Sequence, residues 1–426
     1  MEFDHAVLRG LELSLSGDNR HVVIRSSRPH GISRAEYSFG IEEEYFLADA
    51  TTLEARHTTS DDFFEAVNWS TGGQAMREML QAQLEVATNV HVDVRDACQE
   101  LKFLRREASK VASQFGLAIM ASGTHPTAFW RDSKLSPKAR YEDMIEDLRV
   151  VGRRNMLCGM HVHVQLPDPA KRFPVMCSMI PYLPLFIALA TSSPFWNGRA
   201  TGLKGYRLAA YDELPRTGLP ELFCSEDQYA NYVEGLTRSG AMPDESYIWW
   251  AMRPSMRHPT LELRAPDSCT KLEDAVAIAS LYRALARHLF ERLAEGEQVT
   301  VLDRALAVEN KWRAQRYGID CSFVTKAGPV ALSDFLSDLI DRIANDAEHL
   351  RCRSEVEHCK TIAGNGSSAD HQLRAAELAA DPLAATKRYI ADTTIGRPPA
   401  ATPGDVGAAP LDIARNSGTR NRTVRP

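Results

Sequence analysis

The chain has 426 residues, 44% hydrophobic and 25% charged, which suits a soluble globular protein with one large domain or two moderate ones. A formal charge of only -6, without a dense Lys/Arg stripe, argues against a nucleic-acid partner. Eight scattered cysteines without a C-x-x-C pair read as reduced, mostly buried thiols, and the opening MEFDHAVLRG lacks the regions of an export signal, so a cytoplasmic enzyme is expected.

Residues 1–36 show no sustained period and read as a poorly patterned extension. The pattern starts at Tyr37 with FGIEEEYFLAD, a strand in which alternation sends Glu42 and Glu44 to one face and Glu43 to the other. A turn-rich piece follows. QLEVA then alternates as a second strand, with Gln83 and Glu85 on one side and Leu84 and Val86 on the other. Beyond Asp93, Ala97, Leu101, Leu104, Ala108, Val111 and Phe115 recur at helical spacing until Gly116 stops them. LAIM is a short apolar strand, residues 141–156 read as helix, and CGMHVHVQL alternates as a strand ended by Pro167.

The uncharged run from Val175 to Trp196 would pass a hydropathy window, but Pro181 and Pro184 interrupt it, so a buried core helix is expected and not a membrane span. After an irregular aromatic region, HPTLELRAPD is another alternating strand, and a long amphipathic helix runs from Asp274 to about Glu295. The pattern is then mainly helical to about residue 390, with GNGSSAD read as a flexible loop. A shift to Pro, Gly, Ala and Thr marks a flexible tail, giving a plan of extension 1–36, one catalytic domain 37–390 and tail 391–426. Strands polar on one side and apolar on the other favour an α+β fold, an antiparallel or mixed sheet with helices packed on one face.

Four strands carry polar side chains two residues apart: Glu42 and Glu44; Gln83 and Glu85; His161, His163 and Gln165; Glu262 and Arg264. If these strands share a sheet, its open face is a field of carboxylates, imidazoles and a guanidinium. Neighbouring carboxylates repel unless a cation lies between them, and an oxygen-rich set selects a hard ion such as Mg²⁺. Metals could then screen a nucleotide triphosphate, with Arg264 and Arg253 as forks for its oxygens. No G-x-x-x-x-G-K-[ST] loop offers the other way of holding phosphates. Each pair has a bland reading: Glu42-x-Glu44 also fits a solvated edge strand, and His161-x-His163 a surface pair or a zinc site. The joint occurrence on four strands favours a site.

FGIEEEYFLAD, QAQLEVATNV, SGTHP, RYEDM, CGMHVHVQL, SSPFWNGR with YR downstream, WWAMRPSMRHPTLELRAPD and GNGSSADHQL stand in the order of a known motif string. From about residue 37 to 390 the chain resembles the glutamate-cysteine ligase type 2 family, the bacterial carboxylate-amine ligases. The resemblance implies a core related to glutamine synthetase: an antiparallel sheet curved into a funnel, helices on its outer face, Mg-ATP on its concave face. It also implies ATP-dependent joining of a carboxylate to an amine, with glutamate-cysteine ligase activity that is often weak in this branch. Small amino acids, neither nucleic acid nor membrane, are the expected partners, and the helical C-terminal third could present an apolar face to a second copy. The family's metal-binding glutamates map onto Glu42, Glu44, Glu85 and Glu262, its active-site histidine onto His161 and its phosphate-contacting arginine onto Arg264. With the strand reading, Arg264, His161 and Arg253 form the expected catalytic set, and His161, His163, Gln165 and Arg264 the nucleotide-binding set.

Two departures stand out: Thr191-Ser192-Ser193 replaces the usual Ala-Asn-Ser, and Ala200 the usual acidic residue, which would alter the substrate if that loop shapes its pocket. Two other readings compete with the ligase. One is a zinc hydrolase built on His161 and His163, the other a non-catalytic nucleotide-binding descendant.

Overall fold

The computed structural model describes residues 36–295 and 298–397. Its long first strand, β1 (Phe39–Asp49), turns Phe39, Ile41, Glu43, Tyr45 and Leu47 to one face and Glu42 and Glu44 to the other. The strands that follow are β2 (Ala75–Arg77), β3 (Gln83–Ala87), β4 (Leu117–Met120) and β5 (Met160–Gln165), then a hairpin of β6 (Phe195–Trp196) and β7 (Arg199–Ala200), then β8 (Met252–Pro254) and β9 (Thr260–Leu263). The main sheet runs β2-β3-β1-β5-β9-β8, with β4 beside β1 past the end of β5. Every pairing in it is antiparallel. This is the expected α+β arrangement, with helices against one face of an antiparallel sheet.

The helical layer forms where apolar stripes meet the odd-numbered face of β1. Helix Val94–Gln114 is capped by Asp93, whose side chain accepts from the Arg95 amide, and buries Ala97, Leu101, Leu104 and Ala108. Gly116 behind it takes φ 66°, which only glycine adopts without strain. Helix Leu272–Glu291 buries Ala275 through Ala286 without a break, so it is a central core helix. Phe39, Ile41, Val162, Val164, Leu261 and Leu263 from the sheet pack with Phe186, Tyr282 and Leu285 in one cluster. At about 1.5–3 kcal/mol for each large apolar side chain, this burial fixes which face of the sheet stays open.

Several segments differ from their sequence reading. The piece after β1 contains helix Asp61–Ser70, whose buried stripe is only Phe63, Phe64 and Val67, too short to stand out as periodic. The irregular aromatic region holds helices Tyr206–Tyr211 and Glu226–Arg238, the second capped by Ser225. GNGSSAD is ordered, not flexible: Gly366 takes φ 108° and Ser367 forms a capping box with Asp370 at the start of helix Ser368–Glu377. The apolar run is split, as its prolines require, into helix Arg172–Met179, a 3₁₀ turn at Ile180–Tyr182 and helix Leu183–Leu189. Residues Pro169–Leu189 are long and apolar enough to cross a membrane, yet 72% of that window is buried inside the fold. All eight cysteines are free, six of them buried. The last helix, Pro382–Thr394, passes residue 390 and is tied in by Arg105 Nη1 to the Thr394 carbonyl and by the Ala121 amide to Thr394 Oγ1. The extension expected at 1–36, Glu36 apart, and the tail beyond Arg397 lie outside the described residues.

Candidate active site

Strand register assembles the site row by row. Glu44 on β1 stands opposite Glu85 on β3, and Glu42 stands opposite His161 on β5. His163 faces Glu262 on β9, which in turn faces Arg253 on β8. All of these line one cavity of about 480 Å³ on the open side of the sheet, together with Arg264. Glu43 lies on the opposite face. It takes a two-pronged contact from Arg105, Nε to Oε2 at 2.8 Å and Nη2 to Oε1 at 2.6 Å, and Tyr45 donates its hydroxyl to Oε2 at 2.5 Å. The three consecutive glutamates therefore divide into two that face the cavity and one buried ion pair between sheet and helix.

The carboxylates form two clusters. Glu44, Glu78 and Glu85 each bring an oxygen within 4.8 Å of the others, and Glu42, His163 and Glu262 do the same with their ligand atoms. Like charges directly across a ladder destabilise it, so the first cluster calls for protons or a cation. Burial and the nearby Glu78 push the Glu44 carboxyl up to about 7, and burial with Glu78, Glu42 and Glu44 pushes Glu85 well above the usual carboxylate range. In the second cluster burial opposes ionisation of Glu42, but hydrogen bonds from His161 and His163 hold it well below that range. Burial likewise opposes ionisation of Glu262, yet the Arg264 and Arg253 guanidiniums hold its carboxyl low. Arg253 Nε reaches Glu262 Oε2 at 2.8 Å, and Arg264 Nη1 contacts Oε1.

The two histidines differ. Burial and Arg264 push His161 down to about 4, so it is neutral near pH 7. Its Nδ1 lies 3.3 Å from Glu42, and its buried Nε2 has no hydrogen-bond partner. With the proton on Nδ1, Nε2 offers a lone pair to the cavity. Burial disfavours the His163 charge, but Glu42 and Glu262 overcome it and raise its pKa. His163 Nδ1 meets Thr260 Oγ1 at 2.9 Å.

An all-oxygen set fits a hard divalent cation, and Glu44, Glu78 and Glu85 are the freer of the two clusters, since Glu262 is already engaged by two arginines and Glu42 by two histidines. The oxygens of Glu262 still hold unused lone pairs. Neither cluster contains both His161 and His163, and His125 bonds to the Leu53 carbonyl instead. Among the described residues, no imidazole-rich zinc set is therefore present.

Gln165 is not among the residues lining the cavity. It lies roughly 13 Å along the strand from His161, at about 3.3 Å per residue, where its Oε1 accepts from Ser38 at 3.0 Å. Gln83 does line the cavity, but its amide is committed to the Leu157 carbonyl at 2.7 Å. Thr191, Ser192 and Ser193 are fully buried outside it. Ser193 Oγ donates to Asp267 at 2.6 Å, the Ser192 amide donates to the same carboxylate at 3.0 Å, and Thr191 Oγ1 donates to Ser367 at 2.8 Å. That loop joins the sheet to the C-terminal helices instead of shaping a pocket, and Ala200 is exposed in the β6–β7 hairpin.

Several cavity residues escaped the sequence reading, Glu78 and Arg207 among them. Glu78 follows the three-residue β2, and the alternation of Met76 and Glu78 is its faint signal. Arg207, from the YR motif, is buried beneath the site with an unpartnered Nε. It packs so tightly on Gly159 that a Cβ there would sit 2.1 Å from its Nη2, and Pro266 accepts from Nη1 at 3.2 Å.

Residues 38–393 match the family model described as glutamate-cysteine ligase family 2. A Bradyrhizobium sp. (strain ORS 278) protein named "Putative glutamate--cysteine ligase 2" is 65% identical over 402 residues, covering 94% of this chain and 98% of its own. A Rhodospirillum rubrum protein of the same name is 41% identical, covering 87% and 98%. Among solved structures, a glutamate-cysteine ligase from Francisella tularensis in complex with AMP superposes with a TM-score of 0.65 at 13% identity, over 84% of this chain and 88% of that one. A bifunctional glutathione synthetase from Pasteurella multocida gives 0.64 at 14% identity, over 84% and 52%.

Proposed function

This chain belongs to glutamate-cysteine ligase family 2, and from that premise we propose that it is an ATP-dependent ligase that forms an amide from a carboxylate and an amine through an acyl phosphate. Glutamate and cysteine are the first pair to test, small amino acids the substrate class, and Mg²⁺ the metal. The observation that carries the reading is one cavity lined both by an acidic cluster, Glu44, Glu78 and Glu85, and by Arg253, Arg264 and Arg207. Acidic and basic groups in one cavity suit a metal–polyphosphate, whose metal and anion need both.

In the first step a substrate carboxylate oxygen bonds to the γ-phosphorus of ATP while the bond to ADP breaks. The amine nitrogen then bonds to the acyl carbon, phosphate leaves with that carboxylate oxygen, and the nitrogen gives up a proton. Protein catalysis of phosphoryl transfer is mostly positioning and charge neutralisation. Magnesium held by Glu44, Glu78 and Glu85, with Glu42 and Glu262 as further donors, would neutralise the phosphate oxygens. Arg264 and Arg253, already aimed at the cavity by Glu262, would keep that carboxylate and offer their remaining N–H groups to the phosphoryl oxygens. Arg207 offers the buried positive charge for a substrate carboxylate. His161 stays neutral and orients Glu42. Gln165 lies too far along β5 to take part.

The test is phosphate release from Mg-ATP against single and paired amino acids. Release that requires both a carboxylate donor and an amine supports the ligase. ATP bound without turnover across the panel would favour a non-catalytic nucleotide-binding descendant, and stoichiometric zinc surviving dialysis would favour a hydrolase.

A further inference from the structure

The RYEDM motif has no part in the chemistry so far, yet it lies in helix Ala139–Arg153, and Arg140, Tyr141, Met144, Leu148 and Gly152 of that helix line the cavity. Tyr141, Met144, Ile145 and Leu148 follow the i, i+3, i+4, i+7 spacing of an apolar stripe. Of these four only Ile145 is buried; the other three are half-buried, because they border the cavity and not a core. A helix in a folded protein draws most of its stability from packing such a stripe. The packing of this one is therefore incomplete until something occupies the cavity beside it.

The helix is fastened outside both ends and strained within. Before it, the Ser136 amide donates to the Met79 carbonyl at 2.9 Å, and after it the Cys158 amide donates to the Gly123 carbonyl at 3.1 Å. Near its C-terminal end Arg149 takes φ 53° and ψ -125°, a conformation that a residue with a side chain holds only under strain, and the helix is kinked there. At the other end Arg140 Nη2 donates to Ser246 Oγ at 2.6 Å, and its guanidinium lies over the Tyr247 ring at 5.4 Å. Ser246 belongs to the 3₁₀ turn Glu245–Tyr247 and lines the same cavity. Arg140 is thus a solvent-exposed clasp between two cavity-lining segments far apart in the chain.

Resting on the nucleotide reading above, we propose that helix Ala139–Arg153 is a lid: it opens by bending at Arg149 and releasing Arg140 from Ser246, and it closes when Mg-ATP occupies the cavity and covers Tyr141, Met144 and Leu148. Hydrogen–deuterium exchange of the full chain, followed by mass spectrometry, tests this. In the free protein the amides of residues 142–152 should exchange at least about tenfold faster than those of the core helix Leu272–Glu291, and Mg²⁺ with a non-hydrolysable ATP analogue should slow them at least about tenfold. Arg140→Ala should speed exchange in that segment of the free protein with an unchanged thermal midpoint, since Ile145 and Gly152 are the helix's only buried residues. Ser246→Ala should act in the same direction, and the double variant should match Arg140→Ala alone, because both remove one clasp. Exchange as slow as that of the core helix, or unmoved by Arg140→Ala, would overturn the lid. So would an analogue that binds by calorimetry and leaves the segment's exchange unchanged. An analogue that fails to bind would count against the nucleotide reading, while the free-protein rates and the Arg140→Ala variant still decide whether the helix opens.

Discussion

Glu44 and Glu85 give the clearest pH signature of the site. A carboxyl whose folded pKa is raised contributes stability that is complete below its unfolded value and lost as pH rises through the folded one, about 7 for Glu44. His163, raised relative to a free imidazole, adds a loss in the same direction. His161, pushed down to about 4, acts oppositely, but its contribution is already complete above about pH 6.5, the ordinary imidazole value. Between roughly pH 6.5 and 8.5 the metal-free protein should therefore lose thermal stability, and added Mg²⁺ should restore it most at the alkaline end, since metal binding displaces those protons. A flat or rising midpoint across that window, measured by differential scanning fluorimetry, would count against the clustered carboxyls. Glu85→Gln should flatten the slope while lowering kcat/KM by at least about 100-fold, above the 10–100-fold of substitutions one shell further out. Retention of full ATP-dependent turnover would remove Glu85 from the metal set. At this scale the alternation of charges in EEE and HVH was legible, because a period of two is visible in any strand with apolar partners. Glu78 was not, because β2 is too short to establish a period, and Arg207 was not, because only the bare Cα of Gly159 lets it reach the cavity.

Between elements, the buried pair of Glu43 and Arg105 ties β1 to helix Val94–Gln114. Arg105 also donates to the carbonyls of Cys269 and Thr270, so one guanidinium joins the sheet, its helical layer and the segment after β9. Arg105→Ala leaves a buried carboxylate unpaired and should cost about 3–5 kcal/mol, a fall of roughly 5–15 °C in Tm. Replacing both partners, Glu43→Leu with Arg105→Met, should recover most of that loss; a double variant no better than the single one would show that the other Arg105 contacts dominate. Ser193→Ala removes a donor from buried Asp267 and should cost about 1–3 kcal/mol. Relative kcat/KM across amino acids should stay unchanged, because the Thr191–Ser193 loop lies outside the cavity; a shifted substrate preference would contradict that placement. The sequence left open whether this loop shapes a pocket, since its order among the motifs is visible and its contacts are not. GNGSSAD was misread for a related reason: paired glycines suggest mobility until the Ser367 capping box and the packing of Ser368 near Thr270 are known.

Across the whole molecule, the fold class followed from strands that are polar on one side and apolar on the other, and the motif order added the family. Local pattern does not encode which strands are neighbours, and that information creates the site: β1 between β3 and β5 is what sets Glu44 against Glu85 and Glu42 against His161. Helix Val301–Tyr317 shows the same limit: it buries Asn310, Lys311 and Gln315, and its sequence does not say which side faces inward. The acyl phosphate is the central claim about function, and oxygen tracing tests it most directly. With the donor carboxylate labelled in both oxygens by ¹⁸O, amide formation from Mg-ATP should deliver one labelled oxygen to each phosphate released. Phosphate free of label, formed in step with amide, would contradict an acyl-phosphate route.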